Sequence, residues 1–366
     1  ASEHAFAGTV SFDQPIEPDF ADFAIRRHKL GPLLAVVVRN GARCAPDAED
    51  ILSRHWKKNA WRVAMSEIAA QRIANSFAKA RIPALHFKGV PLARQNYPNP
   101  LWRHCGDMDL LVPPEYHERA QEALVAAGLR CSDPLNRLPA AVRTIAMHLI
   151  RDLAFDDSVS DLHLELHTRL KFSFRISGRA NYPGFVPVVP IRGRHIATPP
   201  LDAGLAHYLL LHGATSKWAR FKWLADLSPV MSCLGKAGRE ALAGWAERTG
   251  TVAATKAGLV LVRSAFRGLD LAPLDLWIDE PFGRDAIRKR AQHYLATLCD
   301  PDTAAGPAAS HLGALHSAWL LNDSMLHSTQ LLPHAAISSA TRWLARRALQ
   351  PSRTVRHRQT LPVDRS

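Results

Sequence analysis

The sequence predicts an α+β fold in which a small mixed β-sheet is embedded in a mostly helical chain. Three observations predict it. Apolar residues recur at spacings of three and four before residue 80 and again after residue 200, short apolar runs bounded by turn residues lie between them, and one segment there alternates strictly. The expected units are a helical region over 1–80, an α+β core over 81–200, a helical domain over 201–349 and a basic tail over 350–366.

The first region starts irregularly, with Pro15 and Pro18. Asn59 is read as the cap of a helix whose stripe Trp61, Ala64, Met65, Ile68 and Ala69 faces the core. Pro83 then breaks the pattern. Ala84 to Phe87 reads as a strand ending in the Lys88-Gly89 turn, and a loop rich in proline and asparagine follows. Met108 to Val112 is a second strand, feeding a helix through Pro113-Pro114 and Tyr116 to Ala127, closed by Gly128. Ser160 to Leu170 alternates, with Leu162, Leu164 and Leu166 on one face and Asp161, His163, Glu165 and His167 on the other. From Leu201 to Leu349 the period is helical, as in Leu205, Leu209 and His212. The tail from Arg342 carries seven arginines against Asp364 and is read as solvated and disordered.

Composition bounds the function. In 366 residues, 47% are apolar and 22% charged, which excludes wholesale disorder, while a formal charge of +13 favours a polyanionic partner. The five cysteines lie 26 or more residues apart with no Cys-x-x-Cys pair, so neither a disulfide framework nor a zinc knuckle is expected. The apolar stretch Leu30 to Val38 has nine residues, against the roughly 20 needed to span a bilayer. The first twenty residues carry Glu3, Asp13, Glu17 and Asp19 and do not resemble a secretory signal. A cytoplasmic protein without a membrane span is the expectation.

The residues with chemistry centre on Gly106-Asp107-Met108-Asp109-Leu110-Leu111-Val112. Aspartates at i and i+2 of a strand share a side, with Cα atoms about 6.6 Å apart, and can converge on divalent ions. Two metals roughly 3.5–4 Å apart clamp the attacking and leaving oxygens of a phosphoryl or nucleotidyl displacement. A bare Asp-x-Asp is more often a surface pair. Here a glycine turn precedes it and an apolar Leu-Leu-Val exit follows. Glu165 is the candidate third acid. Gly89 lets backbone donors approach a phosphate, and Lys88 and Arg103 are candidate phosphate ligands. The set His163, Glu165 and His167 offers zinc an alternative site, against which stands the want of a ligand from another element; His167 otherwise orients Glu165 or meets the nucleotide. Further along, Lys217 and Arg220 are candidate contacts to an anionic ligand, with helix packing an equal alternative.

The run "FKGVPLARQNYPNPLWRHCGDMDLLV" closely resembles the signature of the uncharacterised nucleotidyltransferase family, a branch of the DNA-polymerase-beta-like nucleotidyltransferase superfamily. The blocks "RRHKLGPLLA", "LELHTRL" and "LHGATSKWARFKWLADL" extend the likeness over roughly residues 25 to 230. The resemblance implies metal-binding and catalytic roles for Asp107 and Asp109, places Glu165 as the third carboxylate, and implies Mg²⁺ or Mn²⁺ with a nucleoside triphosphate as substrate. It implies a hydroxyl acceptor on a small molecule, glycan or peptide, since such genes often neighbour those for lasso peptides or surface polysaccharides. The expected function is therefore metal-dependent nucleotidyl transfer releasing pyrophosphate. The rival is a non-catalytic nucleotide-binding or antitoxin-like regulatory protein on the same fold. Nucleic-acid binding through the basic surface is a third reading and is not favoured, because no aromatic stacking pattern follows Trp343.

Overall fold

The strand Asp107–Leu111 (β2) is the hinge of the architecture, because it joins two strands of opposite direction. The computed structural model describes residues 14–133, 135, 152–168, 188–266, 268–280 and 284–300; the expected basic tail and the helical period beyond 300 lie outside them. Leu85–His86 (β1) pairs antiparallel with β2, and Leu162–His167 (β5) pairs with it in parallel. Asp152–Asp157 (β4) and Arg130–Cys131 (β3) extend the sheet antiparallel, giving the order β1-β2-β5-β4-β3. This is the small mixed sheet that the alternating pattern predicts. A separate hairpin, Val188–Ile191 (β6) with Arg194–Ala197 (β7), turns at Arg192-Gly193, where both residues take positive φ.

Among the described residues, eleven α-helices precede, interrupt and follow the sheet. Pro18–Phe23 (α1) runs into a π-helical turn, Ala24–His28, and Gly31–Arg39 (α2) follows. Pro46–Lys79 (α3) begins on these N-terminal helices through Ala48 and Leu52 and ends on the sheet through Ala69, Ile73 and Phe77. Val90–Asn96 (α4) leaves the Gly89 turn, and His117–Ala126 (α5) joins α3 in covering the sheet face made by Met108, Leu110, Phe155, Leu164 and Leu166. After the hairpin come Ala203–Thr215 (α6), Lys222–Cys233 (α7), Lys236–Thr249 (α8), Val252–Ala265 (α9), Leu274–Ile278 (α10) and Arg284–Cys299 (α11). Their buried faces form a second core that also takes in Phe87 and Leu92. Among the described residues, no helix is long and apolar enough to cross a membrane.

Two sequence expectations need correction. Asn59 is not a cap: it lies in the middle of α3, 1% exposed, and its side chain binds the carbonyls of Leu101 and Arg103 at 3.0 and 3.1 Å while accepting from the Cys105 amide at 3.2 Å. Its polarity serves the loop entering β2 and not a helix end. Trp61 is 49% exposed and Ala64, Met65 and Ile68 are half-buried; of the expected stripe Ala69 is fully buried, and the buried face runs through Val63, Ser66, Ala69, Ala70, Ile73 and Phe77.

Trp218 fixes the turn between α6 and α7. Lys217 and Trp218 both have positive φ, the Trp218 amide donates to the Gly213 carbonyl at 2.7 Å, and the indole is wholly buried. A Cβ at Gly213 would lie 2.5 Å from that ring and one at Gly258 3.1 Å, so the two glycines are needed for close approach of α6 and α9 to the indole. Gly213→Ala is therefore expected to cost about 1–3 kcal/mol by overpacking, read as a lower urea midpoint at unchanged slope.

Buried imidazoles set a second expectation. Burial drives His86 down to about 3 and His117 to about 4, and His28 falls to about 4 through burial and then the Arg27 charge. In the unfolded chain these groups titrate near 6.5. Below that pH the unfolded state binds more protons, so stability falls as pH drops from 6.5 towards the folded values. A melting temperature that declines between pH 7 and pH 5, less steeply in His86→Gln, is the expected result.

Candidate functional site

The parallel pairing of β2 with β5 brings the candidate acids together. Asp109 stands opposite Glu165 in the register, and Asp107 opposite His163. Asp161, by contrast, lies outside the strand in the β4–β5 turn, exposed and with φ of 49°. Asp109 is fully buried, Asp107 is exposed, and the Glu165 side chain is 30% exposed. His167 bridges the two carboxylates: its Nε2 lies 3.1 Å from Asp109 Oδ1 and 3.2 Å from Glu165 Oε2, and its ring meets Phe87 edge-on at 5.1 Å.

Lys88 closes the group, with Nζ 3.1 Å from Asp109 Oδ1. Burial works against the ammonium, but the charge of Asp109, supported by Tyr208, Asp107 and Glu165, outweighs it and holds Lys88 above the usual lysine range. The reverse applies to Asp109. Burial would raise its carboxyl, and Lys88 and His167 together hold it well below the carboxylate range. Both partners are charged at neutral pH.

The donor chemistry fits a divalent cation. One ligand atom each from Asp109, Glu165 and His167 lie within 4.8 Å of one another. Asp109 Oδ2 is buried with no hydrogen-bond partner among the described residues, which is costly for a carboxylate oxygen unless a cation meets it. Two carboxylates suit Mg²⁺ and Mn²⁺, and the imidazole is a better ligand for the latter. Asp107 lies outside this three-residue group. It shares the strand face two residues away, and its charge reaches Lys88, Arg220 and Lys222.

The remaining candidates have different surroundings. Arg103 is 3% exposed and its guanidinium is taken up inside the protein: Nε and Nη2 donate to Asp226 at 2.7 and 2.9 Å, and Nη1 donates to the Gly89 carbonyl at 3.2 Å. Tyr97 donates to the same carboxylate at 2.8 Å. Arg103 thus positions the turn from beneath. Gly89 has φ of 72°, and a Cβ there would lie 3.0 Å from the Asp107 carbonyl, so the close approach that requires glycine is to β2 itself. His163 pairs with Asp156 at 2.7 Å at the sheet surface, so of the His163, Glu165 and His167 set read as a zinc alternative only the last two come together, with Asp109 in place of His163. Lys217 sits in the turn after α6 and is absent from the carboxylate group, whereas Arg220, above the Trp223 ring at 5.8 Å, lies within the field of Asp107.

Asp226, Tyr97, Tyr208 and Lys222 belong to the site and were not assigned from the sequence. The block "KWLADL" contained Asp226, but a buried counter-charge 123 residues from its arginine has no local spacing to betray it.

The Arg103–Asp226 pair yields a direct test. Asp226→Asn leaves a buried guanidinium without its counter-charge and is expected to cost about 3–5 kcal/mol, whereas an Arg103→Met, Asp226→Leu double variant recovers most of that loss. Denaturant melts of the three proteins check it. A double variant no more stable than the single one would show that the turn needs the ion pair itself.

A family model described as an uncharacterised nucleotidyltransferase matches residues 15–267. No curated protein and no solved structure matches the chain. The matched span runs from the strand bridge at Ile16 through β2, β5 and α7 to the end of α9, so it contains every residue of the carboxylate group. The chain belongs to the uncharacterised nucleotidyltransferase family.

Proposed function

We propose that the protein is a divalent-metal-dependent nucleotidyltransferase that moves a nucleoside monophosphate from a nucleoside triphosphate to an acceptor hydroxyl, releasing pyrophosphate. The observation that carries this reading is the convergence of Asp109, Glu165 and His167 beside an unsatisfied carboxylate oxygen, with Asp107 on the same strand face. Mg²⁺ or Mn²⁺ would be held by Asp109 and Glu165, with Asp107 and His167 as the adjoining donors. When bound, the metal supplies charge neutralisation for the phosphates and for the departing pyrophosphate.

The chain's own groups do the rest. Lys88 presents an ammonium beside the carboxylates, so on arrival of a triphosphate it has a competing anion within reach. Glu165 is the accessible acid of the three-residue group, and its Oε1 is the atom suited to take the proton of an attacking hydroxyl while Oε2 stays against His167. His167 fixes both acids relative to each other. Catalysis on this reading comes mainly from positioning and electrostatics, as is usual where phosphoryl chemistry asks little covalent work of the protein.

Turnover of nucleoside triphosphates should require Mg²⁺ or Mn²⁺. Asp109→Asn and Glu165→Gln should each lower it by about a hundredfold or more, with Asp107→Asn similar or somewhat milder. Pyrophosphate release over a panel of hydroxyl acceptors is the readout. Because Asp109→Asn also strands Lys88, its melting temperature is measured alongside, and Glu165→Gln serves as the variant in which folding is least disturbed. Full turnover in folded Glu165→Gln and Asp107→Asn would sink the assignment.

A further inference from the structure

The helical core holds a cavity of about 230 Å³ between α9, α10 and α11, in a part of the chain that the carboxylate chemistry leaves unused. Its position follows from the sequence of α11. Ile287, Ala291, Tyr294 and Leu298 recur at spacings of four and three and form the buried stripe of that helix. Ala291 is the small member of the stripe, and the cavity opens at its level, against Leu261 of α9 and Ile278 of α10. These three residues and Ile287 are each at most 5% exposed, so the floor is apolar. The family match ends at residue 267, and most of the lining lies beyond it.

The mouth of the cavity is cationic. Arg284, Arg288 and Gln292 follow one another at a spacing of four, so they share one face of α11, and all three are exposed where they line the cavity. Arg263, from α9, is already engaged: Nη1 donates to Asp275 at 3.2 Å and to Asp279 at 3.0 Å, and Nη2 donates to Asp279 at 3.1 Å. Arg284 lies within the field of Asp279 but, like Arg288, makes no hydrogen bond or ion pair among the described residues. Three arginines thus stand against two aspartates around one apolar hollow, which leaves a single positive charge in excess. An apolar hollow stays dry and admits apolar groups, and about 150 Å³ suffices for benzene. A few charged groups at the rim then decide which end of a ligand faces out.

We infer that this cavity binds a small amphipathic carboxylate, whose aliphatic or aromatic body of about ten non-hydrogen atoms fills the hollow and whose carboxylate is held at the mouth by Arg284 and Arg288. The planar guanidinium fork matches a carboxylate with two parallel hydrogen bonds, and two such forks one turn apart reach the same head group. One excess positive charge matches one carboxylate and not the several charges of a polyphosphate. The site shares no residue with the carboxylate group on β2 and β5, so it stands apart from the nucleotidyl-transfer reading.

The test is isothermal titration calorimetry of the full chain with octanoate, octan-1-ol and acetate. Wild type should bind octanoate saturably, octan-1-ol about tenfold or more weakly, and acetate not measurably. A double variant, Arg284→Gln with Arg288→Gln, should weaken octanoate about tenfold or more while octan-1-ol binds as before. Both side chains are exposed, so its melting temperature without ligand should match wild type. Ala291→Leu fills the hollow from within and should abolish binding of both eight-carbon ligands; if it does not fold, the arginine variant decides alone. Glu165→Gln should bind octanoate as wild type does. If wild type turns over no nucleotide but binds octanoate in this pattern, the site stands and the transferase reading falls. Failure of wild type to bind millimolar octanoate would mark the hollow as closed by another part of the chain or by a protein partner and overturn the inference. Equal affinity for octan-1-ol, or unchanged octanoate affinity in the folded arginine variant, would overturn it as well.

Discussion

The arrangement depends on one buried interaction, the two-pronged pairing of Arg103 with Asp226. Each side chain is 3% exposed, so desolvation opposes both charges, and the pair survives because every strong donor and acceptor is met. Tyr97 satisfies Asp226 again, and the third arginine nitrogen reaches back to the Gly89 carbonyl. The chain segments tied at this point are the turn before α4, the loop entering β2, and helix α7 from the helical core. Asn59 adds a second clasp from α3 to the same loop. The position of Asp107 and Asp109 relative to the helical core is thus set by a polar network lying below them.

Above that network the two aspartates have opposite electrostatic situations. Asp109 is buried and stays ionised only because Lys88 and His167 face the same oxygen, leaving its other oxygen unsatisfied. Asp107 is open to solvent and stands between Lys88 on one side and the α7 cations on the other, all of which feel its charge. Strand alternation alone would make the pair equivalent. The difference arises from depth: β2 enters the sheet from an exposed loop at Gly106, and two residues later it is covered on both faces.

Those two levels explain what was legible in the sequence. Strand and helix periods, the glycine turn, the Asp-x-Asp and the alternating strand with Glu165 are local patterns, and they place Asp107, Asp109, Glu165 and His167 on strands, while Asp161, read as part of the alternation, falls in the turn before it. The pairing of β2 with β5 followed from them only as an expectation that a neighbouring strand would supply an acid. Roles decided by distant partners were not legible. Arg103 has the same local look whether it binds a phosphate or Asp226, and Asn59 looks like a cap because its true partners lie over 40 residues away. The β6–β7 hairpin escaped notice too, since four-residue strands with Pro190 in one of them carry little period.

Buried polar atoms without a hydrogen bond occur along the whole described chain, Arg72 Nε, Thr255 Oγ1 and Tyr294 Oη among them, and the Asp109 oxygen differs from these in belonging to a carboxylate. Asp109 Oδ2 lies on β2 itself, and His104 Nδ1, also without a hydrogen bond, lies in the loop that enters it. The supporting layer is the reverse: Arg103, Asp226, Tyr97 and Asn59 engage one another and the backbone at 2.7 to 3.2 Å. Local sequence rules are broken where a site works and kept in the layer that holds it. Among the described residues Asp109 Oδ2 is the one buried carboxylate oxygen left without a hydrogen bond, and it lies where the strand held by that layer meets Glu165 and His167.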